Sequence, residues 1–243
     1  MPEIIFGART VSYTIRRSKR ARRVKLRIAP EIGLEVILPN DRSEQEVERL
    51  LHNSQDWILK NLQRVDQLVA KTPKLQYITG ECLPYLGETL TLEVIPRQRA
   101  KRSHVSRQAD WLRVRLGAQP ASESDQNDEV RAALEAWYRA QAKTYITARA
   151  HELATQYGYT IHKVTIRGQK TRWGSCSTRG NLNFNWRLML TPRGAVDYVI
   201  IHELCHLTEM NHSPRFWALV EQHCPDYRYW WRWLKDHGTT LPL

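Results

Sequence analysis

The chain has 243 residues, of which 42% are hydrophobic and 26% charged, so its composition is that of an ordinary globular protein. A formal net charge of +12 excludes an acidic disordered protein and favours an anionic partner. No apolar run approaches the roughly 18 residues of a membrane span, and the N-terminus lacks the pattern of a signal peptide. Cys82, Cys176, Cys205 and Cys224 form no C-x-x-C pair and are typical of reduced thiols. The sequence therefore predicts a soluble, cytoplasmic protein without a membrane contact.

The first part of the chain predicts short strands followed by one long helix. Alternating or β-branched runs predict strands at 11–16, 23–28 and 34–38. A capping box formed by Ser43 and Glu46 then opens a helix over 43–71, whose apolar residues recur at helical spacing. We expect this β-rich region to extend to residue 117, because further strand signals occur at 89–94 and 111–116.

The second part is predicted to be mainly helical. The polar stretch 118–128 lacks an apolar pattern and is predicted to be a linker, and a long helix is predicted from about residue 129 to 157. No internal repeat is visible in the sequence. The order of elements predicts an α+β protein with a β-rich region at 1–117 and a catalytic region at 129–243.

A basic segment at residues 16–27 contains eight lysines and arginines and no acidic residue. In its strand the side chains of Arg23, Lys25 and Arg27 leave one face, while three aliphatic residues leave the other. This cationic face predicts binding of nucleic acid, nucleotide phosphates or another anion. An alternative is a solvated face that protects an edge strand, since lysine and arginine are common there.

The pentad that begins at His202 carries the clearest chemistry. Residues four apart share a helical face, so His202 and His206 can bind one ion from the same side. Glu203 is rotated by about 100° and can lie beside the ion without ligating it. This is the H-E-x-x-H pattern of zinc hydrolases, which predicts a zinc-bound water with Glu203 as the general base.

A catalytic zinc site needs a third protein ligand and one open position. His212 lies ten residues after His202, and Ser213-Pro214 begins a new helix, so the chain can turn back towards the ion there. Glu209 is the competing ligand, because it shares the face of the two histidines if the helix continues. Imidazole is the better zinc ligand, which favours His212.

The strand predicted at 181–190 precedes the metal helix and alternates between apolar and polar residues. We expect it to be an antiparallel edge strand beside the metal, which can pair with an extended substrate. Asn183, Asn185 and Arg187 would then face the cleft, with Trp173 at its rim. Alternatively, the polar side chains of this strand only face solvent, which would give the same alternation.

The motifs between Arg172 and Trp217 resemble the YgjP-like family of metal-dependent hydrolases, which is related to the SprT and WLM-type zinc peptidases. The resemblance rests on the run R-W-G-S-C-S-x-x-G-x-L-x-F-N from Arg172, on the pentad at His202 and on N-H-S-x-x-F-W from Asn211. It implies one zinc ion at His202, His206 and His212, with Glu203 as the base.

The sequence and the resemblance together favour a zinc-dependent peptidase that acts on a peptide or protein. A metal-dependent nucleotide phosphoanhydride hydrolase is the alternative, because the chain is strongly basic. A nucleic-acid-binding module with a structural metal is the third hypothesis. An open site with three histidines and a base argues against it, since structural zinc is four-coordinate and closed.

Overall fold

The computed structural model describes residues 1–29, 32–71, 75–96, 102–117, 122–169 and 172–243. These residues form two compact units, Met1–Pro73 and Lys74–Leu243. The linker predicted at 118–128 therefore falls within the sequence range of the second unit. The predicted α+β class is confirmed, because both units combine helices with small sheets.

The first unit contains a four-stranded sheet with the order β1-β2-β4-β3. Its strands are β1 (Glu3–Phe6), β2 (Arg9–Ser18), β3 (Lys25–Ala29) and β4 (Gly33–Pro39). β2 and β4 pair in parallel, and each also has an antiparallel neighbour. Val24, Leu26 and Ile28 pack against the buried core of this unit, as the alternation in the sequence predicts.

Two helices, α1 (Gln45–Asn53) and α2 (Gln55–Lys71), follow the sheet. The sequence predicts a single helix over 43–71, whereas the structure interrupts it at Ser54. The Ser43 hydroxyl accepts a hydrogen bond from the amide of Gln45 at 3.2 Å. The predicted end of the helix at Thr72-Pro73 lies outside the described residues.

The second unit begins with a sheet of the same topology, ordered β5-β6-β8-β7. Its strands are β5 (Cys82–Tyr85), β6 (Glu88–Ile95), β7 (His104–Gln108) and β8 (Trp111–Arg115). The central pair is again parallel and both outer pairs are antiparallel. The two sheets thus share one strand order, although no internal repeat is visible in the sequence.

The long helix α3 (Glu123–Gln156) packs one face into the core of the second unit. It begins inside the predicted linker, because the Ser122 hydroxyl accepts a hydrogen bond from the Asp125 amide at 3.1 Å and caps the first turn. Residues 118–121 lie outside the described part. The buried face of α3 contains Val130, Leu134, Tyr138, Ala142, Ile146, Ala150, Leu153 and Ala154.

A three-stranded sheet follows, with β9 (Lys163–Arg167), β10 (Gly174–Cys176) and β11 (Asn181–Asn185). Its order is β10-β11-β9, so β11 is the central strand. The prediction that this strand lies at the edge of its sheet is therefore wrong. β11 pairs antiparallel with β10 and parallel with β9. The predicted strand also ends earlier, because Trp186–Leu190 form a buried 3-10 helix.

Three helices complete the second unit: α4 (Arg193–Cys205), α5 (Pro214–His223) and α6 (Tyr227–His237). α4 carries the histidine pentad and is bound to α3 by a bidentate ion pair. In that pair the Arg149 guanidinium donates to both carboxylate oxygens of Asp197, at 2.8 and 2.9 Å. This contact fixes the metal helix on the long helix behind it. None of the described helices has the length and apolarity that crossing a bilayer requires.

Candidate metal centre

Three histidine side chains meet where α4 ends. His202 lies in the last turn of α4, and His206 directly follows the helix. His212 comes from the connection to α5, whose first turn is capped by the Ser213 hydroxyl accepting from the Phe216 amide. One ring nitrogen from each histidine lies within 4.8 Å of the others. Among the described residues this is the cluster whose side chains could hold a metal ion.

The side chain of Glu209 is not part of that cluster. α4 ends at Cys205, and a turn follows in which the amides of Thr208 and Glu209 both donate to the Cys205 carbonyl. The main-chain carbonyl of Glu209 lies 3.0 Å from Nδ1 of His206 and accepts a hydrogen bond from it. This bond fixes the His206 tautomer and leaves Nε2 free to bind an ion.

Aromatic side chains hold the three imidazole rings in place. The fully buried Phe216 ring stacks on His206 at a centroid distance of 4.4 Å and contacts both other rings edge-on. Trp217 stacks on His212 at 5.7 Å, and Tyr198 packs edge-on against His202 at 5.9 Å. The rings therefore have little freedom to rotate.

Burial favours the neutral form of two of these histidines, His202 and His206. Burial, reinforced by the two neighbouring imidazoles, lowers the pKa of His202 to about 3. Burial also lowers the pKa of His206, although its bond to the Glu209 carbonyl opposes the shift. Neutral imidazole is the form that binds metal ions.

Glu203 is buried beside the cluster, and its position depends on Gly174 in β10. A Cβ atom at residue 174 would lie 2.6 Å from Oε1 of Glu203 and 2.7 Å from its Cγ. Only a glycine therefore leaves room for this carboxyl group. Burial raises the pKa of Glu203 to about 8, with Arg172 acting in the opposite direction. A divalent cation at the neighbouring histidines would also lower it, because positive charge favours the carboxylate.

A cleft of about 320 Å³ opens over His202 and Glu203. It is lined by Arg172, Trp173, Gly174, Tyr198, Val199, His202, Glu203, Trp231, Leu234 and Lys235. Three elements that are distant in the sequence thus surround the buried carboxyl group of Glu203: the segment at β10, the helix α4 and the helix α6. The arrangement can bring a substrate to an ion and a proton acceptor at the same time.

The predicted substrate-binding residues occupy different places. Trp173 lines the cleft, where its indole packs against Gly238. Asn183 donates to the Ser175 hydroxyl at 3.2 Å. Asn185 is buried and donates to the carbonyls of Gln169 and Arg172, so it supports the loop at the cleft without facing it.

Arg187 is also bound elsewhere. It lies in the 3-10 helix, where its Nε donates to the Leu243 carbonyl at 2.7 Å and its guanidinium lies 4.5 Å from the Trp186 ring centroid. The Arg187 side chain is therefore bound to Leu243. The prediction that it faces a cleft along an edge strand is wrong, because the strand ends at Asn185.

In the first unit the basic face is only partly available to a ligand. Arg23 and Lys25 are exposed, as predicted. Arg27 lies 3.8 Å from Glu35, a buried carboxylate that also pairs with Arg16 at 2.9 Å. Part of the positive charge in this segment is thus used to neutralise a buried acid.

Some residues that line the cleft have no marker in the sequence. The role of Gly174 depends on a contact with a residue 29 positions later, and no local pattern marks it. Trp231 and Lys235 belong to a helix without a motif. Their spacing of four residues shows only that they share a face.

Among comparisons with known proteins, the match to one family model agrees with a metal centre in this chain. The family model "YgjP-like, metallopeptidase domain" matches residues 22–237. The metallopeptidase zymogen abylysin of Pyrococcus abyssi is 22% identical, with a TM-score of 0.33, over 38% of this chain and 95% of that chain. The zymogen jannalysin of Methanocaldococcus jannaschii is 20% identical, with a TM-score of 0.30, over 35% of this chain and 90% of that chain. No curated protein matches the chain.

Proposed function

Because this chain belongs to the YgjP-like family of metallopeptidase domains and is thus a metal-dependent hydrolase, we propose that it is a zinc peptidase. In this proposal His202, His206 and His212 hold one zinc ion, and Glu203 is the general base. The observation that carries the proposal is the meeting of three imidazoles within 4.8 Å beside a buried carboxyl group.

The donor set fits zinc. Zinc–nitrogen bonds of about 2.0–2.1 Å at tetrahedral angles separate two ligand nitrogens by roughly 3.3–3.4 Å. The Nε2 atoms of His202 and His212 are 3.1 Å apart, close to that separation. Three histidines leave the fourth position open, as a catalytic site requires. When bound there, zinc lowers the pKa of water to about 7 and polarises a carbonyl group.

Glu203 takes up and returns the proton in this reaction. Its carboxylate accepts a proton from the attacking water and donates it to the amine that leaves when the peptide bond breaks. The contact with Gly174 holds the carboxyl group in one place, and burial excludes bulk water from it. Both effects favour proton transfer over a short, fixed distance.

The edge strand β10 supports binding of an extended peptide. The Trp173 carbonyl and the Ser177 amide bond to β11, so the alternating main-chain groups of Gly174 and Cys176 point to the open edge. A substrate strand can pair with those groups next to Glu203. β10 thus takes the role that the sequence analysis assigned to the strand after it.

Metal content and turnover of matched variants test the proposal. His202→Ala and His212→Ala should each lose most of the bound zinc, measured by elemental analysis after gel filtration. Glu203→Gln should retain zinc and lose peptide cleavage by at least about 100-fold, since general-base catalysis contributes 10²–10⁴-fold.

The competing hypotheses predict other results. Near-normal peptide cleavage by Glu203→Gln would refute the general-base role. Hydrolysis of nucleoside triphosphates in place of peptides, again dependent on Glu203, would favour the phosphoanhydride hydrolase.

A further inference from the structure

The cleft beside the metal centre contains two cations that the proposed reaction does not use. Arg172 and Lys235 both line this cleft, together with His202 and Glu203. No carboxylate of the described residues lies within ion-pair distance of either side chain, whereas Arg149, in the same unit, has a bidentate partner. Arg172 interacts electrostatically with Glu203, but neither cation has a close ion-pair partner among the described residues, so a substrate carboxylate can supply the counter-charge.

Lys235 is held over an aromatic surface. Its ammonium lies 5.1 Å from the ring centroid of Trp231, one helical turn earlier, and this indole is nearly half exposed. The cation–π contact keeps the ammonium at the cleft and leaves its donors available. The cleft thus presents a positive charge next to apolar area.

Two close contacts fix these residues relative to the metal helix. A Cβ at Gly194 in α4 would lie 2.1 Å from the Trp230 indole, so α6 packs directly on the metal helix. At the other end of α6, Gly238 lies so close to the Trp173 indole that a Cβ atom at residue 238 would clash with it. On the opposite side, Asn185 donates to the Arg172 carbonyl at 3.1 Å and supports the loop that carries Arg172. The cleft is therefore formed before a substrate enters.

We propose that this cleft is a subsite for a substrate carboxylate, which pairs with Arg172 and Lys235 while neighbouring apolar atoms of the peptide contact Trp231. The inference rests on the proposed peptidase function and adds a preference for acidic peptides. A carboxylate accepts charge-assisted hydrogen bonds from both guanidinium and ammonium groups. It can come from an Asp or Glu side chain or from the free C-terminus of a peptide.

Paired peptides test this preference. One set carries Glu or Gln at each position around the scissile bond, and a second set ends in a free acid or an amide. In at least one of these pairs, the zinc-loaded protein should cleave the acidic peptide with a kcat/KM about tenfold higher than that of its neutral partner. This ratio corresponds to about 1.4 kcal/mol. The difference should lie in KM and decrease at high salt, because partly exposed charges are screened.

Charge variants then assign the preference to the two residues. Arg172→Gln and Lys235→Gln should each reduce the acidic-to-neutral ratio several-fold, and Lys235→Glu should favour peptides with lysine at the selected position. Arg232→Gln is the matched control, since it removes a charge from the same helix but does not line the cleft. It should retain the full ratio.

Binding measurements separate this inference from the proposed function. The Glu203→Gln protein, loaded with zinc, should bind the acidic peptide about tenfold more tightly than its neutral partner. Binding is measured by the change in tryptophan fluorescence. Equal cleavage and equal binding of both members would overturn the subsite while leaving the peptidase function intact. Absence of any cleavage together with tighter acidic binding would support the subsite and refute the peptidase. Binding of a nucleoside triphosphate through Arg172 and Lys235, without preference for acidic peptides, would also overturn the proposal.

Discussion

Adding one methyl group at Gly174 should impair catalysis without removing the metal. The new Cβ would lie 2.6 Å from Oε1 of Glu203, and an ordinary contact requires about 3.4 Å. The carboxyl group must therefore move by about 0.8 Å or the strand must shift by a similar amount. Because misplacement of a reacting group by about 1 Å can cost 100-fold, we expect kcat of Gly174→Ala to fall by about that factor.

A double-mutant cycle tests the mechanism of this loss. Peptide cleavage, zinc content and thermal unfolding are measured for Gly174→Ala, for Glu203→Gln and for the double variant. If Gly174 acts only through Glu203, the methyl group should have little further effect on the residual rate of Glu203→Gln. The reasoning is refuted if Gly174→Ala retains near-normal kcat, or if it lowers the rate equally in both backgrounds.

Three further changes probe other parts of the chain. Glu209→Ala should retain zinc, because the contact with the imidazole uses the main-chain carbonyl; loss of zinc in elemental analysis would reinstate the carboxylate as a ligand. Phe216→Ala should lower the free energy of unfolding by about 3–5 kcal/mol in urea titrations, since it removes a fully buried ring; a change below about 1 kcal/mol would contradict its supporting role. Reversing Arg23 and Lys25 to Glu, with the ion-paired Arg27 left intact, should weaken binding of single-stranded oligonucleotides and reduce its salt dependence by about 1.4 in logarithmic slope. Unchanged binding would identify the patch as a solvated edge.

Local patterns predicted the parts of the molecule that depend on local geometry. Alternation placed Leu26 and Ile28 on the core side of β3, and spacing by four placed the rings of His202 and His206 beside each other at the end of α4. Both results follow from the periodicity of a single element. They require no knowledge of what packs against it.

The start of α3 shows how composition can mislead. The stretch 118–128 is polar, and this composition predicts a linker. The structure begins the helix at Glu123, because Ser122 caps it and Asp125 provides a negative charge in the first turn. A polar first turn is stable here since Val130 and Leu134, one and two turns later, are fully buried.

The error after Asn185 has a different cause. Alternating apolar residues up to Leu188 predict a longer strand, yet Met189 and Leu190 are also buried. A run that is buried on all sides carries no information about its period. The Asn185 side chain decides the conformation, because its oxygen accepts a hydrogen bond from the Arg187 amide and caps the 3-10 turn.

The residues that we propose to select a substrate are the hardest to predict for a related reason. The metal ligands must satisfy the geometry of an ion, and this constrains their spacing to a recognisable pattern. The walls of the cleft only need to be near that ion after folding, so they come from a loop at Arg172 and a helix at Lys235 that no pattern connects. Their common feature is physical: unpaired charge and exposed indole beside a buried carboxyl group. Substrate preference in this chain should therefore follow changes at α6 and β10 more than changes within the pentad.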